Sequence, residues 1–403
     1  MHMQEKNKKI LFFALLIFAI FSAFLILKTA AIYNWDISLN LLAMQFLKGH
    51  ISLEPNLDLP VGDISIYNGK YYIYFGPLAS IILIPAVAIL GKSFPQVVLG
   101  IVGLIISFFA VYSISKSFKF SKVDSLWLSL FFVFSTVLFS TSVINITSYT
   151  VEAIGMPLIL LALAEYFSKK RPLVMGILLG LAMLTRITLV LAAIFFFIEF
   201  IKKRLSKKQI ALIFIPIMFF GLVYGGYNYL RFNSFTETGY GYHIQDPYPL
   251  SKNKEYAERG LIHIPANLYS FFVKPPEPIL YFRDGFVFKF PFIKADPWGM
   301  AIWFTSPLFL LLFRFKRNLY YVPSLVTTVA IALPIFTWYS IGFAQFGYRY
   351  ALDFLPFLFL MLIPSLQPKL SKPAILLITL GVVFNCLYIA SLWDEYPLLG
   401  ITR

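Results

Sequence analysis

The sequence predicts an all-α polytopic membrane protein, with about eleven transmembrane helices and further helices along the outer surface. Three observations predict it. Of 403 residues, 59% are hydrophobic and only 13% charged, whereas a soluble domain is nearer half apolar and a quarter charged. Apolar runs long enough to cross a bilayer recur through the chain. Between them, basic residues cluster at alternate connections, so that the net charge of +15 falls on one side. The chain carries 44 Phe residues, more than a water-facing surface could hide, and its mean hydropathy is +0.78. The bilayer is the natural solvent for such a chain.

Taken in order, the expected spans lie near 10–31, 96–114, 125–143, 151–167, 173–188, 188–201, 209–230, 299–313, 319–338, 350–365 and 373–392. Residues 10–31 follow a basic start and lack a small-residue cleavage site, which reads as an uncleaved anchor. The two runs that meet at Thr185-Arg186 are short for full crossings, so a tilted or broken element is expected there. Pro77–Leu90 is apolar but only about 14 residues long, a length that suits an interfacial or re-entrant helix.

Charge decides how that run lies. If Pro77–Leu90 does not cross, the short connections of one face hold 19 of the 34 basic residues, against Glu5, Asp124, Glu165 and Glu199. The other face is then neutral. This is the positive-inside pattern, and it puts the basic clusters in the cytoplasm. A crossing at 77–90 would scatter them to both sides. The chain therefore reads as one transmembrane domain over 1–403, in the plasma membrane, with a cytoplasmic N-terminus and an extracytoplasmic C-terminus. Two long segments, about 32–94 and 231–298, lie outside. Topology and contact with anionic membrane lipids account for the basic residues, and no nucleic-acid partner is needed. Cys386 stands alone, which excludes an internal disulfide and a cysteine metal cluster. His50, His243 and His263 show no metal-ligand spacing. No Gly-rich phosphate loop is present.

Chemistry is expected on the outer face. Asp36 follows the first span directly, ahead of an amphipathic helix over 37–47 that turns Leu39, Leu42, Ala43, Phe46 and Leu47 to one side. A surface carboxylate there can accept a proton from a hydroxyl; the plainer alternative is a helix cap. Glu152 opens an apolar span at its outer end, where a carboxylate is costly and is usually functional or paired. Arg186 stands between two apolar helices on the side the positive-inside bias disfavours, so a phosphate or carboxylate partner is expected. Arg349 and Asp353 are spaced i, i+4 and could pair on one helix face.

These pieces together resemble the C-type glycosyltransferases (GT-C), multi-span enzymes that use lipid-phosphate-linked sugars and include the protein O-mannosyltransferases and lipid A aminoarabinose transferases. The resemblance covers most of the chain as an ordered set of short motifs. An acid follows the first span, then a surface helix ends in Leu47-Lys48-Gly49-His50. Tyr74-Phe75-Gly76-Pro77-Leu78 opens the juxtamembrane run that closes on Leu90-Gly91. Gly176-Ile177-Leu178-Leu179-Gly180-Leu181-Ala182-Met183-Leu184-Thr185-Arg186 is similar to a Gly-rich helix ending in Thr-Arg. Tyr227-Asn228-Tyr229-Leu230-Arg231-Phe232, Glu237-Thr238-Gly239-Tyr240 and Arg349-Tyr350 follow. The chain departs from the pattern in three places. Ile37 stands where many members have a second acid, Gly76-Pro77 where many have Pro-Pro, and no soluble C-terminal segment follows the last expected span.

The resemblance implies a GT-C-like fold and transfer of a sugar, with inversion, from a polyprenyl-phosphate-linked donor to a glycan, lipid or protein acceptor. It maps the catalytic base to Asp36 and a second outer acid to Glu152. Arg186 or Arg349 would hold the lipid phosphate, with Lys70 and Tyr350 as further substrate-binding candidates. No cofactor is called for, and a divalent metal stays open. Two other classes compete: a transporter or flippase of a lipid-linked saccharide, and a non-catalytic envelope-assembly subunit. The chain shows no internal repeat of the kind transporters carry, and both long segments share one face, which favours the enzyme.

Overall fold

The computed structural model describes residues 23–24, 26–29, 36–54, 63–204, 206–243, 250–282, 285–343 and 345–395, with backbone only at 250 and 392–395. The expected first span at 10–31 falls mostly outside these residues, as do both chain ends and Asp58, a further acid of the expected 32–94 segment.

The described chain is mainly helical. Four helices are long and apolar enough to cross a membrane: Val97–Ser117, Thr147–Phe167, Lys207–Phe232 and Lys372–Ser391. Each matches an expected span. Several other expected spans are made of shorter pieces. The 125–143 run is Lys122–Phe134 followed by Leu138–Val143. The 299–313 run is not one long helix but Ile302–Thr305 and a 3-10 stretch, Pro307–Arg314. Pro307 lacks the N–H that would carry the first turn onward. The runs on either side of Arg186 are Pro172–Met183, a 3-10 stretch Ile187–Ala192 and Ala193–Lys202, with Arg186 itself extended. The break anticipated at Thr185-Arg186 is therefore present. The Pro77–Leu90 run forms a helix of 13 residues, Leu78–Leu90, ended by Gly91 at φ +73°. Two small antiparallel hairpins, absent from the sequence expectation, lie in the long segments: β1 (Ile64–Tyr67) with β2 (Lys70–Ile73), and β3 (Glu277–Leu280) with β4 (Phe288–Lys294).

Helix Thr147–Phe167 is the centre of the bundle, buried along most of its length. Its 21 residues span roughly 30 Å at 1.5 Å per residue, about the thickness of the hydrocarbon layer. At one end Glu165 takes Arg171 in a two-pronged pair, Nε at 2.9 Å and Nη2 at 2.7 Å. Nearby, Glu199 is buried and contacts Lys202 and Lys203 at 3.7 and 3.6 Å. Two of the acids assigned to the basic face are thus tied to its cations. At the other end lie the outer candidates.

Small residues let the helices close on that centre. A Cβ on Gly103 would collide with the Ala153 carbonyl, and one on Gly176 with that of Ile213. Gly176 therefore seats Pro172–Met183 on the backbone of Lys207–Phe232, and Gly180 makes room for the Phe220 ring, as small residues do between membrane helices. A second apolar core joins Ser38–Leu47 and Leu78–Leu90 to the start of the central helix through Leu39, Leu42, Leu83 and Val151. The Ser38–Leu47 helix is not amphipathic in the expected sense. Leu39, Leu42 and Ala43 are buried and Phe46 packs against them, as expected, but Ser38, Asn40, Leu41 and Gln45 are buried too, while Leu47 is 52% exposed.

Candidate active site

The first turn of Thr147–Phe167 has orphan backbone N–H groups, as every helix start does, and two distant carboxylates take them. Asp36 Oδ2 accepts from Thr147 N at 2.6 Å, while Oδ1 accepts from Thr147 Oγ1 at 2.9 Å, Ser38 N at 3.0 Å and Ser38 Oγ at 2.8 Å. Asp63 Oδ2 accepts from Ser148 N at 3.1 Å, and its Oδ1 from the Tyr74 hydroxyl at 2.5 Å. The expectation that Asp36 is an exposed surface acid is corrected: it is buried and accepts four hydrogen bonds. Burial pushes its carboxyl above the usual 3.8. The hydrogen bonds from Ser38 and Thr147 pull it down, and the Asp63 charge adds repulsion. Burial likewise raises the Tyr74 phenol well above its usual value, with Asp63 beside it.

One and a half turns along the same helix, Glu152 faces two arginines. Its Oε1 accepts from Arg186 Nη1 and Arg349 Nη1, both at 3.0 Å. Arg186 Nη1 also reaches Asp353 Oδ1 at 3.0 Å, and Asp353 Oδ2 accepts from Thr188 Oγ1 at 2.6 Å. The i, i+4 pairing expected of Arg349 and Asp353 does not form. Residues Arg349–Asp353 make a 3-10 turn, whose side chains part to different partners. Gln345 sets that turn by accepting from Arg349 N at 3.2 Å. Tyr350 lies between the arginines, with their Cζ atoms 5.4 and 5.0 Å from its ring centre. Two acids and two arginines balance to zero, which makes so much buried charge tolerable. Glu152 Oε2 and Arg349 Nε have no hydrogen-bond partner among the described residues.

Beside this network opens a cleft of about 80 Å³. Tyr74, Tyr240, Trp338 and Tyr350 line it with Arg186 and Arg259. Arg259 lies over the Trp338 ring at 4.6 Å. Arg186 uses only Nη1 on the two carboxylates, and its other nitrogens donate to no acceptor among the described residues. Glu152 and Asp353 do not line the cleft; they touch Arg186, which does. Gly76 fixes the near wall. Its N–H donates to Thr185 O at 3.2 Å, and a Cβ there would strike the Leu184 carbonyl. A proline at 76 would lose that bond and meet that clash, which accounts for Gly76-Pro77 in place of Pro-Pro.

The structure thus gathers Asp36, Glu152, Arg186, Arg349 and Tyr350 at one end of the central helix. Lys70 is not among them: it opens β2 at an exposed hairpin turn, outside the cleft lining. Several residues were not singled out by their spacing. Asp63 and Tyr74 are joined only because β1 and β2 pair. Tyr240 lies tilted against Tyr74 with ring centres 4.4 Å apart, and His243 meets the same ring edge-on at 5.2 Å. The Tyr74 and Tyr240 motifs were visible signals; His243 carried none. No group of three His, Cys, Asp or Glu side chains able to hold a metal converges among the described residues.

No family model matches this chain, and no curated protein matches it in sequence. Two solved structures are similar to it over most of its length. One is the Archaeoglobus fulgidus oligosaccharyltransferase in its apo form, 14% identical, with a TM-score of 0.46, covering 94% of this chain and 55% of that one. The other is the archaeal oligosaccharyltransferase AglB from Archaeoglobus fulgidus with an inhibitory peptide and a dolichol-phosphate, 15% identical, TM-score 0.44, covering 89% and 51%. The chain spans about half the length of the solved structures it is similar to.

Proposed function

We propose that the protein is a membrane glycosyltransferase that moves a sugar from a polyprenyl-phosphate-linked donor to an acceptor hydroxyl on the extracytoplasmic face. The observation that carries this reading is the cleft itself. Arg186 is held rigidly by two carboxylates yet keeps guanidinium nitrogens uncommitted, as an anion site requires. Aromatic rings flank it, and Asp63 stands one hydrogen bond behind Tyr74. A lipid phosphate would sit against Arg186, with Arg259 at the mouth. The acceptor oxygen attacks the anomeric carbon as the bond to the phosphate oxygen breaks. The leaving phosphate keeps the electron pair and is stabilised by the fixed cation. The acceptor proton passes to the Asp36–Asp63 pair. Asp63 is the member with lone pairs to spare, because Asp36 already accepts four bonds. A single displacement inverts the sugar carbon. Glu152 serves by fixing both arginines.

The test is transfer of radiolabelled sugar by the purified protein from a panel of polyprenyl-phosphate sugars. Product with one donor, abolished by Arg186→Ala, supports the reading. Translocation of the lipid in liposomes with no product from any donor would favour the transporter instead.

A further inference from the structure

We propose that the β3–β4 hairpin is a membrane-dipping element whose aromatic face lies in the bilayer leaflet on its side of the protein. An antiparallel hairpin that covers a core on one face and meets water on the other alternates apolar and polar residues. This one does not. On its inner face Ile279 is 3% exposed, and Ile293 packs into the main core. On the other side, Phe288, Phe290 and Phe292 recur at every second position of β4, with Phe286 ahead of them in the same register. They are 56, 62, 50 and 96% exposed. Phe290 and Phe292 touch edge to face with ring centres 5.7 Å apart, so the rings form one patch. Large aromatic patches are not left to water by soluble surfaces.

Position identifies the occupant. β4 packs against the last helix, Lys372–Glu395, whose Leu376, Leu380 and Val383 form an exposed stripe at i, i+4 and i+7. That stripe belongs to a helix long and apolar enough to span the membrane, so the hairpin rests on an element that itself needs lipid. The base of the hairpin is clamped by a 2.7 Å pair between Lys274 and Asp296. Asp296 also accepts from Trp298 N at 2.7 Å. The hairpin is therefore held at its base with the aromatic face of β4 turned to lipid, at the level where exposed apolar rings bury in the headgroup and acyl boundary. This inference rests on the membrane reading of the chain and not on sugar transfer, so either can fail without the other.

The test places nitroxide labels at Phe286→Cys and Phe288→Cys in the full chain carrying Cys386→Ser, one copy per lipid nanodisc. Collisional access to oxygen and to a water-soluble nickel chelate is then compared. Leu376→Cys gives the lipid reference and Lys252→Cys the water reference. Phe286 is almost fully exposed, so its replacement leaves the fold intact. The expected result is an oxygen-to-nickel ratio at 286 and 288 that ranks with 376 and above 252. A ratio equal to that of 252 overturns the proposal. So does a ratio that rises only when two copies share a disc, which would make the face a contact between copies.

Discussion

Arg186 and Asp353 meet at 3.0 Å across 167 residues of chain, although Asp353 stands only four places from Arg349. Arg349 turns instead to Glu152, which Arg186 also holds. Glu152 is thus the acid common to both arginines. Glu152→Ala should destabilise the protein by about 3–5 kcal/mol, the usual result of stripping one partner from a buried pair. Glu152→Gln, which keeps an acceptor oxygen, should lose less. Thermal unfolding in detergent measures both, and an unchanged midpoint for the alanine variant would remove the network from any account of stability.

The two arginines should separate by assay. Arg186 lines the cleft, so Arg186→Lys should weaken donor-lipid binding by about 1–3 kcal/mol, the scale of a hydrogen bond to a charged group. Arg349 does not line it, so Arg349→Lys should lower the unfolding midpoint while donor affinity stays within about twofold, a difference of less than 0.5 kcal/mol. Equal losses of affinity in both variants would contradict this division.

Transfer should also report the Asp36–Asp63 pair through pH. Burial and the neighbouring Asp63 charge raise Asp36 above 3.8. The pair takes the acceptor proton only while both carboxyls are ionised, so activity should fall as pH drops through the raised value of Asp36. Asp63→Asn removes the repulsion, and the acid limb of the remaining activity should move to lower pH. The rate itself should fall by roughly 10²–10⁴-fold, as for loss of a general base. Asp36→Asn is the less clean variant. Its amide would face Thr147 N or Ser38 N donor to donor, at a cost of about 1–3 kcal/mol in stability.

Gly76→Ala should damage the site without touching a charge. The new methyl group would meet the Leu184 carbonyl, and the wall must shift to admit it. Transfer and donor binding should fall together, with the protein still folded. Full activity would show that this wall is more yielding than its packing indicates.

Orientation is open to labelling in intact cells. Cysteines placed at Ser117 and Lys252, in a chain carrying Cys386→Ser, should respond oppositely to an impermeant thiol reagent. Strong reaction is expected at 252 and none at 117. Reaction at 117 would require Pro77–Leu90 to cross.

Much of this was legible before any coordinates. Long apolar runs announce helices because the bilayer demands them, and four of the expected spans are helices long enough to cross. Arg186 and Glu152 stood out because uncompensated charge among apolar residues is costly. What stayed hidden depended on pairing across the chain. Local spacing offered Asp353 to Arg349, and only the fold redirects it to Arg186. Asp63 reaches the site because β1 and β2 pair, a contact of four residues each with weak periodicity. Asp36 looked exposed because a position just past an apolar run is ordinarily wet; its bonds to Thr147, at the start of the central helix, hold it in a buried place instead. Pro307 was the overlooked signal in 299–313.

The neutral quartet also bears on how the chain is made. Glu152 and Arg186 emerge early and are neighbours in synthesis; Arg349 and Asp353 emerge together, much later. Each couple carries one positive and one negative charge, so neither half of the nascent chain enters the lipid with net charge at this depth. The early couple can form as a closed pair, and the late couple then joins it, Arg349 on Glu152 and Asp353 on Arg186. The quartet is therefore complete only once residue 353 has been made, and a chain halted before residue 349 would hold Arg186 by one carboxylate instead of two.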